Sequence, residues 1–107
     1  MSIIDTAPPG GAGSAAPTTV HLVGEIDIFT SKALRRQLLN TLRHSTSPLI
    51  IDLSQVPFCD VGGLAVLVGI QRRARAQGIT LALAAPRPEV FRLLHVTGLD
   101  RGLPLVT

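Results

Sequence analysis

The hydrophobic positions fall into short apolar runs separated by segments with helical spacing. Leu49-Ile50-Ile51-Asp52-Leu53 is rich in β-branched residues and nearly unbroken in hydrophobicity, the pattern of a strand buried on both faces of a sheet. Thr19 to Ile26 alternates, with Val20, Leu22 and Gly24 set against His21, Val23 and Glu25, which predicts a strand near the middle of the sheet. Asp27-Ile28-Phe29-Thr30 turns out of it, and Thr30 or Ser31 can cap the helix that follows. In that helix Leu34, Leu38, Leu39 and Leu42 make the core stripe, while Lys32, Arg35, Arg36 and Arg43 take the water side. A second helix runs from Val61 and is almost wholly apolar to Ile70, so it needs cover on more than one side, from the domain or from a partner. Gly78 ends it, and Ile79 to Ala84 reads as another buried strand. Pro86-Arg87-Pro88 opens a third helix, with Val90, Phe91 and Leu94 toward the sheet and Gly98 closing it. Leu103 to Val106 supplies a last short strand. This alternation is that of an α/β domain whose site loops lie at the strand C-ends.

The segment between the strand at Leu49 and the second helix carries the sharpest local signal. Pro57 excludes a continuing central strand, and Asp60 stands where a helix needs an acceptor for its first free amides. With Val61, Gly62 and Gly63 as the first turn, free N–H groups and the positive end of the helix dipole face outward, and two residues without side chains let another surface come close. Ahead of all this, residues 7–18 are Pro, Gly, Ala, Ser and Thr with no apolar period, a composition that predicts a loose segment. Residues 1–18 are therefore set apart as a flexible N-terminal segment, with Ser2-Ile3-Ile4-Asp5 supplying a short edge strand or none, and residues 19–107 as the folded domain.

Four motifs in order carry a family resemblance: Gly24-Glu25-Ile26-Asp27 followed by Thr30; Ile51-Asp52-Leu53; Phe58-Cys59-Asp60-Val61-Gly62-Gly63-Leu64; and Val96-Thr97-Gly98-Leu99. From about Val20 onward the chain resembles the STAS domains, the family of the bacterial anti-sigma-factor antagonists. The resemblance implies a single α/β domain with a mixed, mostly parallel sheet of four to five strands and three to four helices. It also implies a docking surface formed by Asp27, Thr30, Asp60, Val61, Gly62, Gly63 and Leu64. In the family the residue after the aspartate is usually a serine that a partner kinase phosphorylates. Here it is Val61, followed by Gly62. A valine accepts no phosphoryl group, so any such modification would have to move, with Thr30 or Ser31 as the nearby hydroxyls.

Composition narrows the chemistry. Aromatic residues are 3% of the chain against 46% hydrophobic overall, so the core is built from Leu, Val, Ile and Ala, and the absence of Trp and Tyr weakens a reading based on stacking bases or sugars. The formal net charge is +3, and Arg72, Arg73 and Arg75 cluster at the end of the second helix, where cations complement the helix dipole and keep the face solvated; direct nucleic-acid binding is not expected. Cys59 is the single cysteine, which excludes an internal disulfide and fits a small buried packing residue in a reducing cytoplasm. No segment has the length of a membrane helix and no leader pattern is present, so a cytoplasmic protein without membrane contact is expected.

Catalysis finds no support in these residues. His21, His44 and His95 are far apart and none neighbours Asp60, while Asp27, Asp52 and Asp60 at strand ends read as turn or cap residues rather than metal ligands. Gly62-Gly63 lacks the Gly-Lys-Ser/Thr continuation of a phosphate loop, and no cofactor is expected. The resemblance thus implies a non-catalytic module that binds an anti-sigma factor or a serine-kinase-like regulator and so acts on sigma-dependent transcription. The alternative is a structural STAS subunit of a larger signalling assembly, or a homodimer built on the apolar helix.

Overall fold

The computed structural model describes residues 2–6, 17–45 and 48–106. Strand β1 (Ser2–Thr6) is followed by β2 (Thr18–Val23), helix α1 (Ser31–Arg43), β3 (Leu49–Gln55), α2 (Val61–Ala76), β4 (Leu81–Ala84), α3 (Pro88–Val96), a 3-10 turn at Leu99–Arg101 and β5 (Leu105–Val106). The five strands form one sheet in the order β1-β2-β3-β4-β5, with β1 antiparallel to β2 and every later pair parallel. The α/β class and the mostly parallel sheet expected from the sequence are those observed. Residues 2–6 pair with β2 over their whole length, Ser2 opposite Val23 and Thr6 opposite Thr19. The stretch expected to be loose falls mainly on 7–16, outside the described residues; its last member, Thr18, begins β2.

β3 is not covered on both faces: Leu49, Ile51 and Leu53 are buried while Ile50, Asp52 and Ser54 are only half-buried. Strands added in sequence order through right-handed crossovers send every crossover helix to the same side of the sheet. The register makes the two faces explicit. Val20, Ile51, Leu83 and Leu105 form a row beneath the helices, whereas His21, Asp52, Ala84 and Val106 form the next row, on the other face. Within the domain α2 buries one stripe, Gly63, Leu64, Leu67, Ile70, Gln71 and Ala74, so the domain alone does not supply the cover on more than one side. Its outer side is tolerable in water because Ala65 and Gly69 are small and Val66 and Val68 are partly covered.

The helix ends follow the local chemistry. α2 finishes with Gly78 at φ 75°, Gly78 N–H donating to the Arg75 carbonyl at 3.0 Å and Ile79 N–H to the Ala74 carbonyl at 2.8 Å, the paired bonds of a glycine-terminated helix. α3 starts with Pro88 at its first position and is followed by Gly98, also at φ 75°. Within α1, Leu34, Leu38 and Leu42 are buried as expected, but Leu39 is only partly so, and in α3 Phe91 is not under the sheet with Val90 and Leu94. Phe91 remains 44% exposed and stacks on His95, with ring centroids 6.4 Å apart.

Candidate functional site

Two loops meet at the C-terminal ends of β2 and β3. β2 is shorter than the alternation suggested: its register with β3 shifts between His21 and Val23, and Gly24 takes φ 101°. The chain then returns to the neighbouring loop. Ile26 forms an isolated parallel bridge with Cys59, its N–H donating to the Phe58 carbonyl at 2.9 Å and its carbonyl accepting from Asp60 N–H at 3.1 Å. Ile26 and Cys59 are both buried, so the bridge is a packed junction as well as a hydrogen-bonded one. Burial, reinforced by the neighbouring Asp60 charge, pushes the Cys59 thiol up to about 12, which keeps it protonated and unreactive at neutral pH.

Asp60 is the N-cap of α2. Its backbone is extended (φ −92°, ψ −179°) and its carboxylate accepts from Gly63 N–H at 2.8 Å, satisfying one of the free first-turn amides. Gly63 is where the fold itself demands glycine: a Cβ there would lie 2.5 Å from Ile26 Cγ2 and 2.9 Å from Cys59 Sγ. Its missing side chain admits the other loop rather than an outside surface, which changes the reading of the glycine pair. Leu64 is fully buried behind it and belongs to the core. Val61, 62% exposed, and Gly62 are the members of this turn that face solvent.

The second loop is stitched by Asp27 and Thr30. The Asp27 carboxylate accepts from Phe29 N–H at 2.9 Å and Thr30 N–H at 3.1 Å. The Thr30 hydroxyl accepts from Asp27 N–H at 2.9 Å and donates to the Glu25 carbonyl at 3.1 Å. Thr30 therefore occupies the cap position of α1 without capping it through its side chain. This closed hydrogen-bond set leaves Ile28 and Phe29 outside, 74% and 89% exposed, at the same end of the sheet as Phe58, which is 49% exposed. These three apolar residues escaped the sequence reading. The signal was there: the hydrophobic pair Ile28-Phe29 sits inside a polar turn, where a chain that had no use for it at the surface would carry polar residues.

Electrostatics elsewhere is modest. His21 Nδ1 lies 2.8 Å from Asp52 Oδ2 on the sheet face away from the helices. Burial alone would raise the Asp52 pKa, but bonds from the Ser54 amide and side chain and from His21 outweigh it and hold the carboxyl below its ordinary value. Asp52 is thus a paired strand residue. Among the described residues no group of three or more His, Cys, Asp or Glu is placed to hold a metal. No described helix is long and apolar enough to cross a membrane.

A parallel sheet in sequential order with one antiparallel edge, helices on one face and two interlocked loops at the strand C-ends defines a small α/β module with a surface site. The family model described as "Mlab, STAS domain" matches residues 12–107, and the chain belongs to the STAS domain family. It is similar to a Mycobacterium tuberculosis protein assigned to the anti-anti-sigma factors, with 34% identity over 96 residues, 87% of this chain and 64% of that protein. It is also 35% identical over 80 residues to the anti-sigma-B factor antagonist of Bacillus subtilis, covering 75% of this chain and 72% of that one. The crystal structure of an anti-sigma factor antagonist from Mycobacterium paratuberculosis matches with a TM-score of 0.74 and 29% identity, over 97% of this chain and 85% of that one. The chain thus spans just under two thirds of the M. tuberculosis relative and somewhat more of the other two.

Proposed function

We propose that the protein is a non-catalytic anti-sigma-factor antagonist that docks through the two interlocked loops and holds a permanently binding-competent surface. The observation that carries this reading is Val61: it is an exposed apolar residue on the first turn of α2, at the position where the family usually has its phosphorylated serine. Around it, Ile28, Phe29 and Phe58 add apolar area that a partner could desolvate, and Asp27 with Thr30 fixes the loop that presents two of them. Phosphorylation in the family would put a doubly charged group in such an interface and oppose docking through repulsion and desolvation. Val61 removes that option. If a hydroxyl replaces it as a control point, Ser31 is the better acceptor, because its Oγ makes one long bond of 3.4 Å to the Ile28 carbonyl while the Thr30 hydroxyl is committed on both sides.

The test is Val61→Asp, which sets a carboxylate where phosphoserine acts in relatives. The fold should persist, since a helix first turn favours negative charge. Calorimetry with the cognate anti-sigma factor should find binding weakened by at least about tenfold, a desolvation cost of the size expected for a charge buried at an interface. Arg73→Ala, near the other end of α2, should leave that affinity unchanged. Equal affinities for wild type and Val61→Asp would refute the docking surface and favour an assembly or homodimer role.

A further inference from the structure

Seven of the ten lysines and arginines lie on α1 and α2, and neither helix carries an acid. Among the described residues the basic side chains in contact with a carboxylate are His21 with Asp52 and His95 with Asp100, so none of these seven cations has a carboxylate partner there. Where the two helices meet, Arg35, Arg72 and Arg73 line a hollow of about 270 Å³ together with Leu39, Ile70 and Gly69. Arg36 and Arg43 line a neighbouring hollow of about 370 Å³ that also includes Leu39. Six of the seven cations are arginines, whose planar fork suits bidentate binding of an oxyanion.

Gly69 supplies an independent observation. It sits in the middle of α2, where glycine weakens a helix relative to alanine, yet a Cβ there would meet nothing within 4 Å. The fold gives no reason for this glycine, in contrast to Gly63. It borders the arginine hollow, where an approaching chain would gain contact with bare helix backbone.

We propose that the α1–α2 arginine face is a second docking surface, for an acidic protein segment that carries apolar residues among its carboxylates. The carboxylates complement the uncompensated guanidinium groups, and the apolar residues complement Leu39, which is partly exposed in both hollows. A nucleic acid fits less well: no aromatic side chain lines either hollow for bases to stack on, and a phosphate backbone would leave the apolar area unmatched. The surface is separate from the Asp60 loop, since along α2 its residues Gly69 to Arg73 lie about 12–18 Å beyond Val61 at the helical rise per residue. It can therefore be occupied or lost independently of the anti-sigma reading.

The experiment uses the full chain and a fluorescent peptide of Glu-Leu-Glu-Glu repeats, followed by anisotropy at several salt concentrations. Binding is expected to weaken with salt, as charge contacts do, and to fall at least about tenfold in Arg72→Gln/Arg73→Gln. Arg92→Gln/Arg101→Gln removes the same net charge from exposed positions outside these helices and should change affinity little. Gly69→Ala should raise the melting temperature while weakening the peptide, because the methyl group fills the space the peptide backbone would take. The proposal is overturned if wild type fails to bind, if the two double variants weaken binding equally, or if Gly69→Ala leaves affinity unchanged. A single-stranded oligonucleotide of matched charge that binds more tightly through the same arginines would overturn it in favour of nucleic acid.

Discussion

Gly63→Ala is a stringent test of the junction between the two loops. The new methyl carbon would have to occupy a point 2.5 Å from Ile26 Cγ2 and 2.9 Å from Cys59 Sγ, both well inside the 3.4–4 Å of ordinary van der Waals contact. Neither neighbour can swing away, because Ile26 is wholly buried and Cys59 nearly so, and the bridge between them fixes their backbones. Overpacking of this kind costs roughly 1–3 kcal/mol. Clashing with two buried neighbours puts this site in the upper half of that range, about 2–3 kcal/mol, and the roughly 1 kcal/mol returned by replacing a helical glycine leaves a net loss of about 1–2 kcal/mol. For a domain of this size that corresponds to a melting temperature lower by roughly 4–16 °C. Urea and thermal melts followed by circular dichroism read the change directly. Docking should suffer too, since the strain is relieved by parting the loops of the proposed surface. A Gly63→Ala protein as stable as wild type would refute the close approach of Ile26 and Cys59 to the first turn of α2.

Asp60→Ala should cost about 1 kcal/mol by removing the cap bond to Gly63 N–H, and superimposable denaturant melts would deny the cap an energetic role. Asp52 has a folded pKa below its ordinary value of 3.8, so its contribution to stability is present above that value and is lost as pH falls through the lower folded pKa. The stability gap between wild type and Asp52→Asn should accordingly be constant near neutral pH and close below about pH 4; a gap independent of pH would show that the His21 and Ser54 bonds do not favour the ionised form. Incubation with a cognate anti-sigma kinase and ATP, followed by peptide mass measurement, should add no phosphate between Asp60 and Leu64; any phosphate found should lie on Ser31 rather than Thr30, and a phosphorylated Thr30 would contradict its locked hydroxyl.

Much of the architecture was readable because it rests on local rules. The leucine spacing of α1, the glycines after α2 and α3, Pro88 at a helix start and Asp60 as a cap each act within one turn of chain. What escaped depends on contacts across the sequence. Ile50 looks as buried as Ile51 in a list of residues, and only the crossover geometry exposes one of them. Gly62 and Gly63 look alike, yet only the second is pressed against Ile26, some forty positions earlier. Phe91 has the right helical phase for the core but lies at the margin of the sheet, with the ring of His95 against it. The candidate surface was half legible for the same reason: its cap was local, whereas the apolar residues Ile28, Phe29 and Phe58 acquire meaning only when two loops are brought to one end of the sheet.

The bridge between Ile26 and Cys59 also bears on kinetics. Two loops that might have moved separately share main-chain bonds and a buried contact, so the free protein already holds the shape it would present. Docking through the proposed surface would need little ordering on encounter, and association would proceed without waiting for a rare conformer. Variation among partners, or among substitutions at the exposed apolar residues, then falls on the lifetime of the complex rather than on the rate at which it forms. A substitution that loosens the bridge should do the opposite: it leaves the contact residues intact but slows their arrival in register.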